Sequence, residues 1–167
     1  MMMEQKYKYF PLYVKMEDAH VVVFGAGTIA ARRVAALAKT PCRLTVIAPE
    51  CGERMQALLD QWQDRISYVK GRYRPGCLME EDMDAVIAAT DDPAVNEAVY
   101  RECRHREIPV NVATDHTLCS FYFPATVEVV DSELLIAIAS GNADAQTHHH
   151  VRQLREQIEQ GFGEKRP

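Results

Sequence analysis

The sequence predicts an α/β fold, a doubly wound parallel sheet followed by a small antiparallel hairpin and a last helix. Three observations predict it. Short apolar runs alternate with helical patterns along most of the chain, as in sheets with crossover helices. The glycine-rich turn Gly25-Ala26-Gly27 follows the first of these runs. After Asp115 the alternation stops, and two strand-like runs follow without a helix between them.

The first predicted strand, His20 to Phe24, is almost wholly apolar, as expected of a strand buried on both faces. An alanine-rich helix is predicted from Thr28 to Lys39. Asp92 followed by Pro93 is typical of a capped helix start. The other predicted elements are strand 43–48, a helix from Pro49, strands 66–69, 85–89 and 109–112, hairpin runs 121–130 and 134–139, and a helix over about 145–160.

Composition limits the size, the partners and the location of the protein. With 167 residues, the chain has room for one domain and a small appendage. Its formal net charge of −5 argues against a general attraction to nucleic acid or to an anionic membrane. No apolar run approaches the ~20 residues that span a bilayer, and the N-terminus lacks the apolar stretch of a secretory signal. We therefore expect a cytoplasmic protein.

The stretch from Gly25 to Ala30 is a G-x-G-x-x-A motif between a buried strand and a helix. The first glycine allows the tight turn, the second lets the backbone approach a pyrophosphate, and the small Ala30 allows close helix packing. The helix start offers N–H groups to the phosphates. The motif predicts a Rossmann-type dinucleotide-binding domain over residues 1–115, with cofactor contacts from Gly25, Ala26, Gly27, Thr28 and Ile29.

The end of the second strand bears on the choice of dinucleotide. A carboxylate about 20 residues after the glycine turn is expected to bind the ribose hydroxyls of NAD. Ala48, Pro49 and Glu50 occupy this place, so the pattern favours NAD, although Arg54 lies one turn into the next helix. Thr90 and Asp91, after the fourth strand, are further candidates for cofactor contact, with a plain helix cap as the alternative.

Seven ordered segments lie between Tyr9 and Glu159: Phe10–Tyr13, Gly25–Gly27 with Ala30, Arg32 and Arg33, Leu44–Pro49, Ala88–Asp92, Asn111–Ala113, Cys119–Ala125 and Ala139–Gly141. Together they resemble the precorrin-2 dehydrogenase family, the dehydrogenase portion of siroheme synthases. The resemblance implies NAD-dependent oxidation of precorrin-2 to sirohydrochlorin, in which a hydride and a proton leave the macrocycle. It also implies that residues 116–167 form a region for dimerisation and for the substrate cleft, shorter than in the family.

The acid/base aspartate of the family falls on Thr114 in this chain, and Asp115 follows it. A threonine needs help to act as a base near neutral pH, whereas a carboxylate does not. The candidates for the catalytic base are therefore Asp115, with Thr114 as a positioning hydroxyl, and His116, whose reference pKa of ~6.5 suits proton transfer.

Two other functions stay open: a non-catalytic dinucleotide or tetrapyrrole-binding protein, and a ferrochelatase acting on sirohydrochlorin. Neighbouring helical residues point ~100° apart, so His148, His149 and His150 cannot converge on one metal from a single helix, and we predict no metal site. The five cysteines form no CxxC pair and are expected to be small apolar side chains. The apolar hairpin predicts a homodimer formed by residues after about Leu118.

Overall fold

The structure, a computed structural model, describes residues 9–79, 82–129, 132, 134–139 and 145–163. The chain forms two compact units. The first is Val14–Tyr122, and the second joins residues before Val14 to residues after Tyr122. The division into a domain over residues 1–115 and a region over 116–167 stays a prediction.

The first unit alternates strands and helices along the chain. Its helices are α1 (Thr28–Leu37), α2 (Glu53–Gln61) and α3 (Pro93–His105). Its strands are β1 (His20–Phe24), β2 (Arg43–Ala48), β3 (Ile66–Lys70), β4 (Ala85–Ala88) and β5 (Val110–Val112). All pair in parallel, in the order β3-β2-β1-β4-β5.

The central strand β1 forms the middle of the core. All five of its residues are buried, because helices cover both faces of a parallel sheet. Val22 and Phe24 pack in one cluster with Val99 and Cys103 of α3. The alternate residues Val21 and Val23 are also buried, as are Ala30 and Val34 of α1. The prediction that this apolar run forms a strand buried on both faces is therefore confirmed.

Helix α2 begins at Glu53 and not at Pro49, so the predicted start was wrong. The backbone of Gly52 is extended, and its N–H donates to the Ala26 carbonyl at 3.3 Å. The segment after β2 therefore runs beside the glycine turn in an extended conformation before α2 begins, and Pro49 lies outside the helix.

The free edge of β5 is closed by two side chains. Ser120 Oγ accepts a hydrogen bond from Val110 N at 3.2 Å, and Cys119 Sγ accepts one from Val112 N at 3.2 Å. Ser120 N in turn donates to the Val110 carbonyl at 2.8 Å. Unpaired N–H groups on an edge strand invite pairing with another chain. The Cys119-Ser120 pair therefore protects the sheet edge.

The second unit contains β6 (Ala125–Glu128), β7 (Leu135–Ile138) and α4 (Ala145–Gly163). The two strands pair antiparallel, with Val127 opposite Ile136, which confirms the predicted hairpin. Within the described residues, which leave out residue 130, both strands are shorter than the predicted runs 121–130 and 134–139. Phe121, at the start of the first run, belongs to the first unit, where its carbonyl accepts a hydrogen bond from Asn111 Nδ2 at 2.9 Å.

Helix α4 packs against β6, and Val127 is only 3% exposed. The apolar face predicted on the hairpin is thus partly covered within the unit itself. Across the described parts of the chain, no helix combines the length and the apolar character needed to cross a membrane.

Candidate functional site

The glycine turn lies at the carboxyl edge of the sheet, between β2 and β4. Gly25 N donates to the Ile47 carbonyl at 2.9 Å, and Ala89 N donates to the Phe24 carbonyl at 2.8 Å. Gly25 has φ of +106°, and a Cβ there would lie 2.3 Å from the Ala89 carbonyl oxygen. Only glycine satisfies both the conformation and the close approach.

Gly27 differs from Gly25 in its surroundings. It is the N-cap of α1, with ordinary dihedral angles and no side-chain cap. A Cβ on Gly27 would meet no atom within 4 Å, so the space beside this backbone is open. The first intrahelical bond runs from Ala31 N to the Gly27 carbonyl at 2.9 Å, so the preceding N–H groups have no partner within the helix. An open cradle lined by such donors fits a pyrophosphate.

The end of β2 approaches the same turn. A Cβ on Gly52 would lie 3.0 Å from the Ala26 carbonyl oxygen, so the α2 start and the glycine turn are in close contact. Tyr68 OH donates to the Ala48 carbonyl at 2.8 Å and anchors the strand end. Burial raises the pKa of Tyr68, and the neighbouring Cys51 and Glu50 raise it further. The negative charge of Glu50 therefore lies close enough to this strand end to affect the Tyr68 hydroxyl.

Arg54 lies in a groove of about 400 Å³ between α1 and α2. Arg32 lines the same groove, together with Thr28 and Ile29 from the start of α1. An arginine near this strand end can accommodate the 2′-phosphate of NADP, and Arg54 is therefore the residue that opposes the predicted preference for NAD. The structure shows that a second arginine accompanies it.

The loop after β4 is a helix cap. Asp92 Oδ1 accepts hydrogen bonds from Ala94 N at 2.8 Å and Val95 N at 3.4 Å, and Pro93 occupies the first turn, as the sequence predicts. Thr90 Oγ1 donates to Asn96 Oδ1 at 2.8 Å and receives a hydrogen bond from Asp92 N at 3.3 Å. The Thr90 hydroxyl is therefore committed inside the loop, whereas Asp91 is exposed.

The loop after β5 carries the three candidates for the base. Thr114 Oγ1 accepts a hydrogen bond from Asn96 Nδ2 at 3.3 Å. Asp115 Oδ1 accepts bonds from Thr117 N at 2.8 Å and Thr117 Oγ1 at 2.7 Å, and so caps the 3-10 turn His116–Leu118. These bonds hold the pKa of Asp115 below its ordinary value.

The structure brings the ends of β1, β2, β4 and β5 to one edge of one sheet, since neighbouring parallel strands end on the same side. Asn96 and Gly52 are not among the site residues predicted from the sequence. Asn96 stands out in the structure because it is a fully buried asparagine inside a helix. The sequence does not show that this helix position is buried, so it gave no signal for Asn96. Gly52 directly before a helical pattern is a signal that could have corrected the α2 start.

His148, His149 and His150 lie in the first turns of α4 and are exposed. Within the described residues, no group of three or more histidine, cysteine or acidic side chains is arranged to hold a metal ion. His116 is exposed on the other unit.

The chain is similar to known proteins in sequence and in fold. The chain is 39% identical to a siroheme synthase of Methylobacillus flagellatus over 78% of its length, and 37% identical to one of Nitrosospira multiformis over 81%. It spans only 27% and 28% of those relatives. Its fold matches that of SirC, precorrin-2 dehydrogenase, with a TM-score of 0.70 and 20% identity, over 92% of this chain and 71% of that one.

An NAD(P)-binding family model matches residues 12–125, which include the whole five-strand sheet and the glycine turn. The predicted resemblance to siroheme synthases and the predicted dinucleotide cofactor are thereby confirmed, the latter for the NAD(P) class. The chain belongs to the NAD(P)-binding family.

Proposed function

We propose that the protein oxidises precorrin-2 to sirohydrochlorin with NAD as the hydride acceptor. One observation carries the proposal: the open space beside Gly27 lies at the carboxyl edge of the sheet, which also bears the polar loops after β4 and β5. Open parallel sheets bind ligands outside this edge, where the strand order reverses. Similarity to siroheme synthases supports the choice of substrate.

The bound dinucleotide would accept the hydride. The protein supplies placement: the glycine turn and the start of α1 hold the pyrophosphate through N–H groups. The contacts proposed for the cofactor are those of Gly25, Ala26, Gly27, Thr28, Ile29, Ala48, Pro49, Glu50, Thr90 and Asp91.

The choice of NAD over NADP rests on Glu50. This exposed carboxylate follows β2, where the adenine-side ribose is expected. A carboxylate accepts hydrogen bonds from ribose hydroxyls and repels a 2′-phosphate. Arg32 and Arg54 oppose the choice of NAD, because arginines attract the 2′-phosphate of NADP.

Asp115 is the proposed base for the proton that leaves the macrocycle. Its Oδ1 is held by Thr117, and no described residue donates to Oδ2, which leaves that oxygen able to take a proton. The lowered pKa keeps the carboxylate ionised at neutral pH. Thr114 is the proposed positioning hydroxyl, and His116 is the alternative base.

A homodimer formed through the second unit accompanies this function. Leu154 and Phe162 of α4 are 48% and 52% exposed, and with Val151 and Ile158 they share one face of the helix. Phe10 and Leu12 of the same unit are 82% and 75% exposed. A second copy would cover this apolar surface. The cytoplasmic location stays a prediction from the sequence.

Anaerobic incubation with precorrin-2 and NAD tests the proposed function. We expect the absorption of sirohydrochlorin to appear only when both are present. Binding of NAD without this change would favour a non-catalytic dinucleotide-binding protein. Metal insertion into added sirohydrochlorin, without oxidation of precorrin-2, would favour the ferrochelatase hypothesis.

A further inference from the structure

Asn96 is a polar side chain in the first turn of α3 with no exposed surface. A buried amide is costly unless its hydrogen bonds are made. Oδ1 accepts from Thr90 N at 3.0 Å and from Thr90 Oγ1 at 2.8 Å, while Nδ2 donates to the Thr90 carbonyl at 3.1 Å and to Thr114 Oγ1 at 3.3 Å. Asn96 therefore joins the loops after β4 and β5.

Chemistry fixes the orientation of this amide. A backbone N–H can only donate and a carbonyl can only accept, so Oδ1 must face Thr90 N and Nδ2 must face the Thr90 carbonyl. Thr114 Oγ1, on the Nδ2 side, is consequently an acceptor toward Asn96. A hydroxyl also has one proton to donate. Among the described residues the Thr114 proton has no acceptor, and the residue is exposed.

We propose that Asn96 is a positioning residue that makes Thr114 a hydrogen-bond donor to the nicotinamide-bearing half of the dinucleotide. The pyrophosphate is assigned to the turn after β1, and the adenosine half to the end of β2. The other half must then extend across the β4 and β5 ends. That half carries the carboxamide oxygen of the nicotinamide, which can accept a hydrogen bond from the Thr114 hydroxyl. The inference rests on the cofactor assignment of the proposed function.

Dissociation constants for NADH and for ADP-ribose, which lacks the nicotinamide, test the inference on the intact chain. Thr114→Val removes the donor and is expected to weaken NADH about tenfold, the scale of one hydrogen bond. ADP-ribose affinity should change less than about twofold, because that ligand does not reach Thr114. Thr114→Ser keeps a hydroxyl and should restore NADH affinity.

Asn96→Asp reverses the hydrogen bond to Thr114. The new carboxylate can only accept, so it loses the hydrogen bond to the Thr90 carbonyl, and the Thr114 proton turns toward the carboxylate and away from the ligand. We expect the same selective loss for NADH, and no further loss when Asn96→Asp is added to Thr114→Val. A merely structural role would weaken both ligands alike, and thermal unfolding of each variant monitors the fold.

Equal loss for NADH and ADP-ribose, no loss for either, or additive losses in the double variant would overturn the inference. So would a wild-type protein that binds neither ligand. A wild-type protein that shows the selective pattern but does not oxidise precorrin-2 would contradict the proposed dehydrogenase activity and leave the role of Asn96 intact.

Discussion

Gly25 and Gly27, two residues apart in the motif, have different roles. Gly25 is required by the fold, because its φ is +106° and the Ala89 carbonyl lies where a Cβ would be. Gly27 is not required by the fold, because its backbone angles are ordinary and the space beside it is open. A motif match alone does not separate these roles, whereas the space around each Cα does.

Gly27→Val is expected to abolish dinucleotide binding while the protein stays folded. The new Cβ would meet no protein atom within 4 Å, and the side chain would occupy the space that the pyrophosphate needs. Calorimetric titration with NAD measures the binding, and circular dichroism checks the fold. Gly25→Ala is the contrasting variant and should lower thermal stability, because it adds backbone strain and a clash. Unchanged NAD affinity in Gly27→Val would mean that the cofactor binds elsewhere.

The base can be identified from the pH dependence of the rate. If Asp115 is the base, its lowered pKa keeps it ionised, so kcat/KM should stay level on the acid side down to about pH 4. A rate that falls on the acid side well above that pH would exclude Asp115 as the base. Asp115→Asn should lower kcat at least ~10²-fold with NAD affinity nearly unchanged. His116→Gln is the matched control and should change kcat little. A loss of kcat below tenfold in Asp115→Asn would exclude Asp115 as the base.

At the scale of elements, local sequence signals predicted strands and some helix starts, but they did not predict the hydrogen-bond networks between side chains. Asp92 and Pro93 indicated the start of α3, because capping is decided within a few residues. The start of α2 was misplaced, because a contact with the distant Ala26 decides it. Asn96 was invisible for the same reason: its partners Thr90 and Thr114 come together only in the folded sheet. Long-range contacts therefore limit what the sequence predicts.

Helix α3 ends in a strained residue. Ile108 N donates back to the Cys103 carbonyl at 2.9 Å, and Glu107 between them has φ of +58°, a region that favours glycine. Glu107→Gly should raise the free energy of unfolding by about 0.5–1 kcal/mol in urea titrations. Glu107→Ala removes the same charge but keeps the strain, so it should not stabilise. Equal gains in both variants would assign the effect to the charge at the helix end.

At the scale of the whole molecule, the second unit exposes apolar side chains that its own hairpin does not cover. Val127 is buried against the rest of the unit, but Leu134, Leu154 and Phe162 are about half exposed or more. Tyr13 OH donates to the Leu135 carbonyl at 3.2 Å and ties the N-terminal segment to the hairpin. The surface available to a second copy thus includes α4 and the segment before Val14.

Leu154→Glu should convert the proposed dimer to a monomer at micromolar concentration, because a charge in the apolar stripe of α4 would be buried without a partner. Sedimentation velocity measures the mass. Gln160→Glu adds the same charge on the opposite, exposed side of α4 and should leave the dimer intact. A wild-type protein that sediments as a monomer would contradict the dimer proposal.

The most direct test of the proposed dehydrogenase is a count of products in an anaerobic reaction of enzyme, NAD and precorrin-2. Each molecule of precorrin-2 oxidised should give one sirohydrochlorin and one NADH, since the hydride passes to the cofactor. In parallel, Gly27→Val should form neither product above the uncatalysed rate. Sirohydrochlorin formed without an equal amount of NADH, or no sirohydrochlorin from a wild-type protein that binds NAD, would contradict the account.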